Sequence, residues 1–260
     1  MKKKKAKHGP NDHSPVGASS RYRYKMCPGS VRESAKHPNI SSKDADEGTR
    51  AHEWVANFIE QLKRGKEPDF SRCPEERGMR AAVKVAVDFV DNQMGNHPEV
   101  WVELPIGAPD IDEDAWGTAD VILYHEKIKQ LCVYDYKHGV GVFVPVENNL
   151  QLITYAIYAI KTLGLDVEEI EVGIIQPRIE FEDAIRTWTF NIDELPEMEF
   201  DLYNDIQATK KKNAPLVSGP HCNSTFCNAR AKCPVLLEES NKTAAALFSS
   251  PNKDVISSQE

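Results

Sequence analysis

The sequence predicts a mixed α/β fold, with helices packed on a central sheet, and three observations carry that prediction. From about Asp44 to Met94, apolar residues recur at helical spacing; from Val100 the spacing changes to that of strands; and a long apolar stretch, 147–163, splits the strands into three and two.

The elements follow in order. Residues 1–17 carry Lys2, Lys3, Lys4, Lys5 and Lys7 among His, Pro, Asn and Gly with no periodicity, and read as a disordered basic tail. Ser19 or Ser20 can cap a short helix reaching Cys27, and Ser30 another. Asp44 to Lys63 reads as a helix on Ala51, Val55, Phe58, Ile59 and Leu62. Pro74 to Met94 reads as a second, with proline at its start and Met79, Val83, Ala86, Val87 and Val90 on one face.

Val100–Ile106, Gly117–His125 and Gln130–Lys137 then read as strands, and the short turn between the last two favours an antiparallel hairpin. Glu147 to Leu163 is apolar on most sides and reads as a buried helix. Strands over Ile170–Ile179 and Ala184–Phe190, a helix over Ile192–Lys211, a cysteine cluster and a flexible tail over 241–260 complete the chain. A single domain over 18–240 accounts for everything between the two tails.

Composition narrows the class. With 40% hydrophobic and 28% charged residues the chain is ordinary for a globular protein. No apolar run approaches the roughly 20 residues of a membrane span, and the basic start lacks the apolar middle of a secretory signal. A cytoplasmic, reducing setting is expected. The net charge of −8 argues against a protein that simply coats DNA, although carboxylates that hold a cation add negative charge where it is cancelled.

Chemistry concentrates in two short segments, Gly117-Thr-Ala-Asp120 and Val133-Tyr-Asp135-Tyr-Lys137. Residues two apart on a strand share a face, so Asp135 and Lys137 project together. In a hairpin Asp120 arrives at the same end of the ladder. Two carboxylates this close call for a cation, and Mg²⁺ or Mn²⁺ suits oxygen ligands. Such an ion can activate water and polarise a phosphodiester, while Lys137 orients or deprotonates the water or neutralises developing charge. An Asp-x-Lys pair alone is an ordinary strand-end ion pair; the ordered context decides. That context includes Glu47-Gly-Thr-Arg-Ala-His52-Glu53 early in a helix, and Gln151 with Tyr155, four apart on the buried helix and so on one face. Glu103, in the first strand, can contribute a further carboxylate, but reads first as a solvent-facing strand residue.

This ordered set resembles the RecB-like branch of the PD-(D/E)XK nuclease superfamily, which includes nuclease domains of recombination helicases and CRISPR-adaptation exonucleases. Uncharacterised phage and prophage members look most similar. The resemblance runs from about Ser19 to Cys233. It implies a restriction-endonuclease-like core, and a divalent-metal-dependent nuclease, an exonuclease acting on DNA with single strands or free ends in recombination or DNA processing, with a recombination protein as partner. By it, His52, Asp120, Asp135 and the Tyr136 carbonyl hold Mg²⁺ or Mn²⁺; Asp120, Asp135 and Lys137 are catalytic; Gln151 and Tyr155 position the lysine and the DNA strand. One departure stands out: the acidic residue often found four positions after the histidine is here Ala56.

Of six cysteines, Cys222, Cys227 and Cys233 cluster late, and Cys27 can join them only if the chain ends meet in space. The arrangement is similar to the iron–sulfur staple of some RecB-like nucleases, which favours a [4Fe–4S] cluster on Cys27, Cys222, Cys227 and Cys233. Zinc is the alternative, with His221 able to replace one cysteine. Cys73 and Cys132 read as structural. A non-catalytic DNA-binding or scaffolding protein with the same fold is the competing function, and a redox sensor a third; the retained Asp120, Asp135 and Lys137 speak against the scaffold.

Overall fold

The computed structural model of the chain describes residues 14–39, 41–95, 97–180 and 182–249. Among these, the helices are α1 (Arg21–Met26), α2 (Ser30–Ser34), α3 (Lys43–Lys63), α4 (Met79–Met94), α5 (Leu150–Leu163), α6 (Leu195–Lys210), α7 (His221–Ser224) and α8 (Pro234–Ser249). The strands are β1 (Glu99–Gly107), β2 (Trp116–His125), β3 (Gln130–Tyr136), β4 (Glu169–Ile175) and β5 (Ile185–Asn191).

The strands form one sheet in the order β1-β2-β3-β4-β5. All neighbours are antiparallel except β3 and β4, which run parallel with α5 as the crossover between them. The expected hairpin is β2–β3, in register at Val121↔Tyr134 and Ile122↔Val133. Strand alternation then sorts the core. Ile122, Val133, Ile170 and Val172 meet α5 and α6 on one face, and Leu123, Cys132 and Tyr134 meet α3 and α4 on the other. The result is a mixed five-stranded sheet flanked by helices, an α/β fold.

Local chemistry sets the ends. Ser42 caps α3, its side chain accepting from the Ala45 amide, with Asp44 and Asp46 in the first turn. Asn149 caps α5 by accepting from the Gln151 and Leu152 amides, so that helix begins at Leu150, three residues later than apolar patterning suggests. α4 begins at Met79 and not at Pro74. Arg77 (φ 51°) and Gly78 (φ 76°) are left-handed and separate the proline turn from the helix.

The chain ends depart from the compositional reading. Val16 is buried in the core, so packing starts inside the stretch assigned to the tail, while residues 1–13 of that tail lie outside the described residues. α8 carries the chain in helical form through residues 241–249, where a flexible tail was expected, and 250–260 lie outside the described residues. No helix among the described residues is long and apolar enough to cross a membrane.

Candidate metal and active site

The β2–β3 ladder opens where β1 and β2 continue beyond it. Past the pair Val121↔Tyr134, the Tyr136 amide donates to Asp120 Oδ2 at 2.7 Å. Asp120 is thus fixed by backbone at the point where the strands part. Opposite it on β1 lies Glu103, between the ladder pairs Val102↔Val121 and Leu104↔Ala119. His52 reaches in from α3, with Nδ1 3.3 Å from Asp120 Oδ2 and 3.9 Å from Glu103 Oε1. One donor atom from each of His52, Glu103 and Asp120 lies within 4.8 Å of the others, the only such group among the described residues. One nitrogen and two carboxylate oxygens at that spacing can hold a hard divalent ion.

Asp135 is a near neighbour outside that group. Lys137 Nζ is 2.6 Å from Asp135 Oδ2, and Gln151 bridges the pair, donating Nε2 to Asp135 Oδ1 at 2.8 Å and accepting from Lys137 Nζ at 3.2 Å. The short ammonium contact pairs a buried carboxylate oxygen with a fixed positive charge. Tyr155, one turn beyond Gln151 on α5, packs beneath, its ring edge 3.3 Å from where a Cβ on Gly117 would stand. The sequence-predicted residues therefore form two adjoining sets, His52 with Asp120, and Asp135 with Lys137 and Gln151. Glu103 joins the first. For Tyr136 the tie to Asp120 is made by its amide.

Electrostatics divide the two acids. Burial raises Asp135, reinforced by the Asp120 charge and opposed by Lys137. Burial also acts to raise Asp120, but the charge and hydrogen bond of His52 outweigh it and hold that carboxyl below its ordinary range. Burial would lower His52; Asp120, with Asp135 and Glu103 behind it, raises it instead to about 9. Burial and then the facing Asp120 raise Glu103 to about 7. Since 43% of the Glu103 side chain still meets solvent, the neighbouring charge is the part a cation would relieve. Burial would lower Lys137, but Asp135 wins and keeps it an ammonium.

Sequence reasoning ranked Glu103 as solvent-facing ahead of a ligand, and it missed a buried cluster beside the site. Glu47 accepts from Arg178 at 2.7 Å and pairs with Arg77 at 2.5 Å, and its Oε1 is 3.0 Å from His138 Nε2. Because that nitrogen faces a carboxylate it donates, and His138 Nδ1 accepts the Tyr136 hydroxyl at 2.8 Å. Strand register was the available signal for Glu103. For Glu47 it was a charged residue on the apolar side of α3, four before Ala51.

The cysteines make a second locus. Cys27, Cys222, Cys227 and Cys233 line one pocket with Arg23, Ser30 and His221, and no cysteine is in a disulfide. The Val217 amide donates to Cys27 Sγ at 3.2 Å, and Ser34 Oγ lies 3.6 Å from Cys227 Sγ. Arg23 Nε and Ser30 Oγ are buried there with no hydrogen-bond partner. His221 Nε2 is taken by the Val217 carbonyl at 3.0 Å, which removes that nitrogen as a ligand. Cys73 and Cys132 are packed in the core, and burial pushes Cys132 up to about 12.

Among solved structures, the chain is similar to SSO0001 (13% identity, TM-score 0.38, 88% of this chain and 89% of that one). It is also similar to LHK-Exo in complex with dAMP (12% identity, TM-score 0.32, 87% of this chain and 97% of that one). Both are loose likenesses. The family model described as "Protein of unknown function (DUF2800)" matches residues 13–260, and the chain belongs to that family.

Proposed function

We propose that this protein is a divalent-metal-dependent nuclease of the PD-(D/E)XK kind, hydrolysing phosphodiester bonds of DNA at single-stranded or free ends. The observation that carries the reading is the convergence of His52, Glu103 and Asp120 donors within 4.8 Å, beside the Asp135–Lys137–Gln151 network. Asp135, buried beside them and paired with one ammonium, adds a further negative charge that a cation would offset.

A bound Mg²⁺ or Mn²⁺ supplies positive charge to the phosphate and acidifies water at neutral pH. His52, Glu103 and Asp120 would hold it, with Asp135 at its edge. Lys137, kept charged by Asp135, acts as a fixed cation that steadies negative charge gathering on the phosphate oxygens. Gln151 ties Lys137 to Asp135, and Tyr155 backs them from α5. The test is purified protein on linear DNA with Mg²⁺ or Mn²⁺, against Asp135→Ala. Metal-dependent cleavage lost in the variant supports the enzyme; equal cleavage by both removes it and leaves the DNA-binding scaffold.

The four-cysteine pocket is proposed to hold a metal–sulfur centre. Buried Arg23 Nε and Ser30 Oγ are donors awaiting acceptors, and metal-bound thiolates, unlike thiols, are anionic acceptors. Four thiols facing one pocket suit a [4Fe–4S] cluster, with zinc as the alternative. Joining Cys27 to Cys222 closes a loop of 195 residues and removes much chain entropy. Broad visible absorbance and bound iron in anaerobically purified protein would support the cluster; colourless protein with bound zinc would replace it with a zinc site, and protein with neither metal would remove the centre.

A further inference from the structure

Glu47 lies five residues before His52 on α3 and is only 3% exposed. A carboxylate buried this far is costly unless cations and donors match it, and a matched one is a rigid fixture. Its partners come from three separate segments. Arg178, beyond β4, donates to Oε1 at 2.7 Å and to the His138 carbonyl at 3.2 Å. Arg77, before α4, meets Oε2 at 2.5 Å, and His138 Nε2 donates to Oε1 at 3.0 Å.

The cluster then reaches the site. His138 takes the Tyr136 hydroxyl at 2.8 Å, and the Tyr136 ring meets His52 edge-on with centroids 5.2 Å apart. Tyr136 and His138 are the two residues flanking Lys137. The carboxylate that holds His138 directly, and Tyr136 through it, sits on the helix that delivers His52. With its backbone neighbours tied, Lys137 has little freedom to move relative to α3.

We propose that Glu47 is a positioning residue that fixes the separation between His52 on α3 and Lys137 at the end of β3. The proposal rests on the metal-site reading above, and adds to it a group that touches neither ion nor substrate.

The test uses the full chain and two conservative variants. Tyr136→Phe removes only the hydroxyl, leaving the ion pairs of Glu47 and the ring on His52 in place. Glu47→Gln keeps the shape and removes the charge. Mn²⁺ affinity, thermal midpoint, and kcat and KM on linear DNA are measured for each. Tyr136→Phe is expected to weaken Mn²⁺ binding by about tenfold and to lower kcat more than KM, in the range found for groups that orient metal ligands, with a smaller fall in midpoint than Glu47→Gln shows. Glu47→Gln is expected to show the same losses together with a lower midpoint. Wild-type Mn²⁺ affinity in Tyr136→Phe, or a Glu47→Gln variant that loses midpoint alone, would overturn the proposal. Mn²⁺ binding without cleavage by the wild type would sink the nuclease reading only, and the affinity comparison would still decide the clamp.

Discussion

Glu103 faces Asp120 directly across the β1–β2 ladder, and it does so with φ at +46° in the middle of a strand. A left-handed conformation at a residue with a Cβ costs on the order of 1–3 kcal/mol and persists only where neighbours enforce it. Here the ladder is intact on both sides, and the twist brings a second carboxylate to His52 and Asp120. Strain at a residue that faces His52 and Asp120 motivates testing Glu103 as a ligand.

Glu103→Ala should therefore weaken Mn²⁺ binding by about tenfold or more, at least the loss expected for a group that merely supports a ligand. Residue 56 is one helical turn beyond His52 and on the same face of α3. Adding Ala56→Glu to Glu103→Ala should return part of that affinity by supplying the carboxylate from the helix. Titration of Mn²⁺ into the three proteins checks this, and an unchanged Kd in Glu103→Ala removes Glu103 from the ion's shell.

Lys137→Met keeps the length of the stem and removes the charge. If Lys137 steadies charge on the phosphate, cleavage of linear DNA should fall by about 10²–10³-fold, as when one donor to a developing oxyanion is lost. DNA binding measured in Ca²⁺ should change far less. A Lys137→Met protein cutting at the wild-type rate would relegate the Asp135–Lys137 contact to a strand-end ion pair.

Some of this was legible in the sequence, and physical reasons separate what was from what was not. The β2–β3 hairpin was readable because its two strands lie close in the chain and a short turn fixes their register. Asp120 and Asp135 followed as neighbours. Glu103 was visible as a candidate carboxylate but not its placement, because on an edge strand with mixed exposure, alternation marks a face but does not say which residue across the ladder it meets. The parallel β3–β4 pairing depends on a crossover of some thirty residues, for which local pattern gives no register. At α4 the proline suggested a helix start, but Arg77 and Gly78 adopt positive φ, and only backbone geometry reveals that. The meeting of Cys27 with Cys222, Cys227 and Cys233 is tertiary, made by α1 packing against α7.

Gly173 lies opposite Tyr134 in the parallel ladder, in the centre of the sheet. A Cβ there would stand 2.6 Å from Tyr134 Cδ1 and 3.3 Å from the Arg186 carbonyl. Tyr134 is fully buried, its ring edge-on to Phe89, so it has no space to yield. Gly173→Ala should destabilise the fold by roughly 1–3 kcal/mol, the usual range for overpacking. Urea unfolding followed by circular dichroism measures it, and a midpoint equal to wild type would show that the ring can shift.

Glu47 also predicts how stability depends on pH. Burial acts to raise its carboxyl, but the Arg178 and His138 hydrogen bonds and the Arg77 charge outweigh that and hold it below the ordinary value. A carboxyl depressed on folding binds its proton more readily in the unfolded chain. Its contribution to stability is therefore complete above the unfolded value of about 4.3 and disappears as pH falls through the lower folded value. Glu47→Gln has no such proton to bind. The stability gap between wild type and Glu47→Gln should be full at pH 7 and should shrink as pH drops below about 4.3. Thermal midpoints of both proteins between neutral and acid pH provide the measurement, and subtracting one from the other cancels the titrations they share. A gap that widens toward acid would mean that desolvation outweighs the arginines and that Glu47 enters the fold protonated.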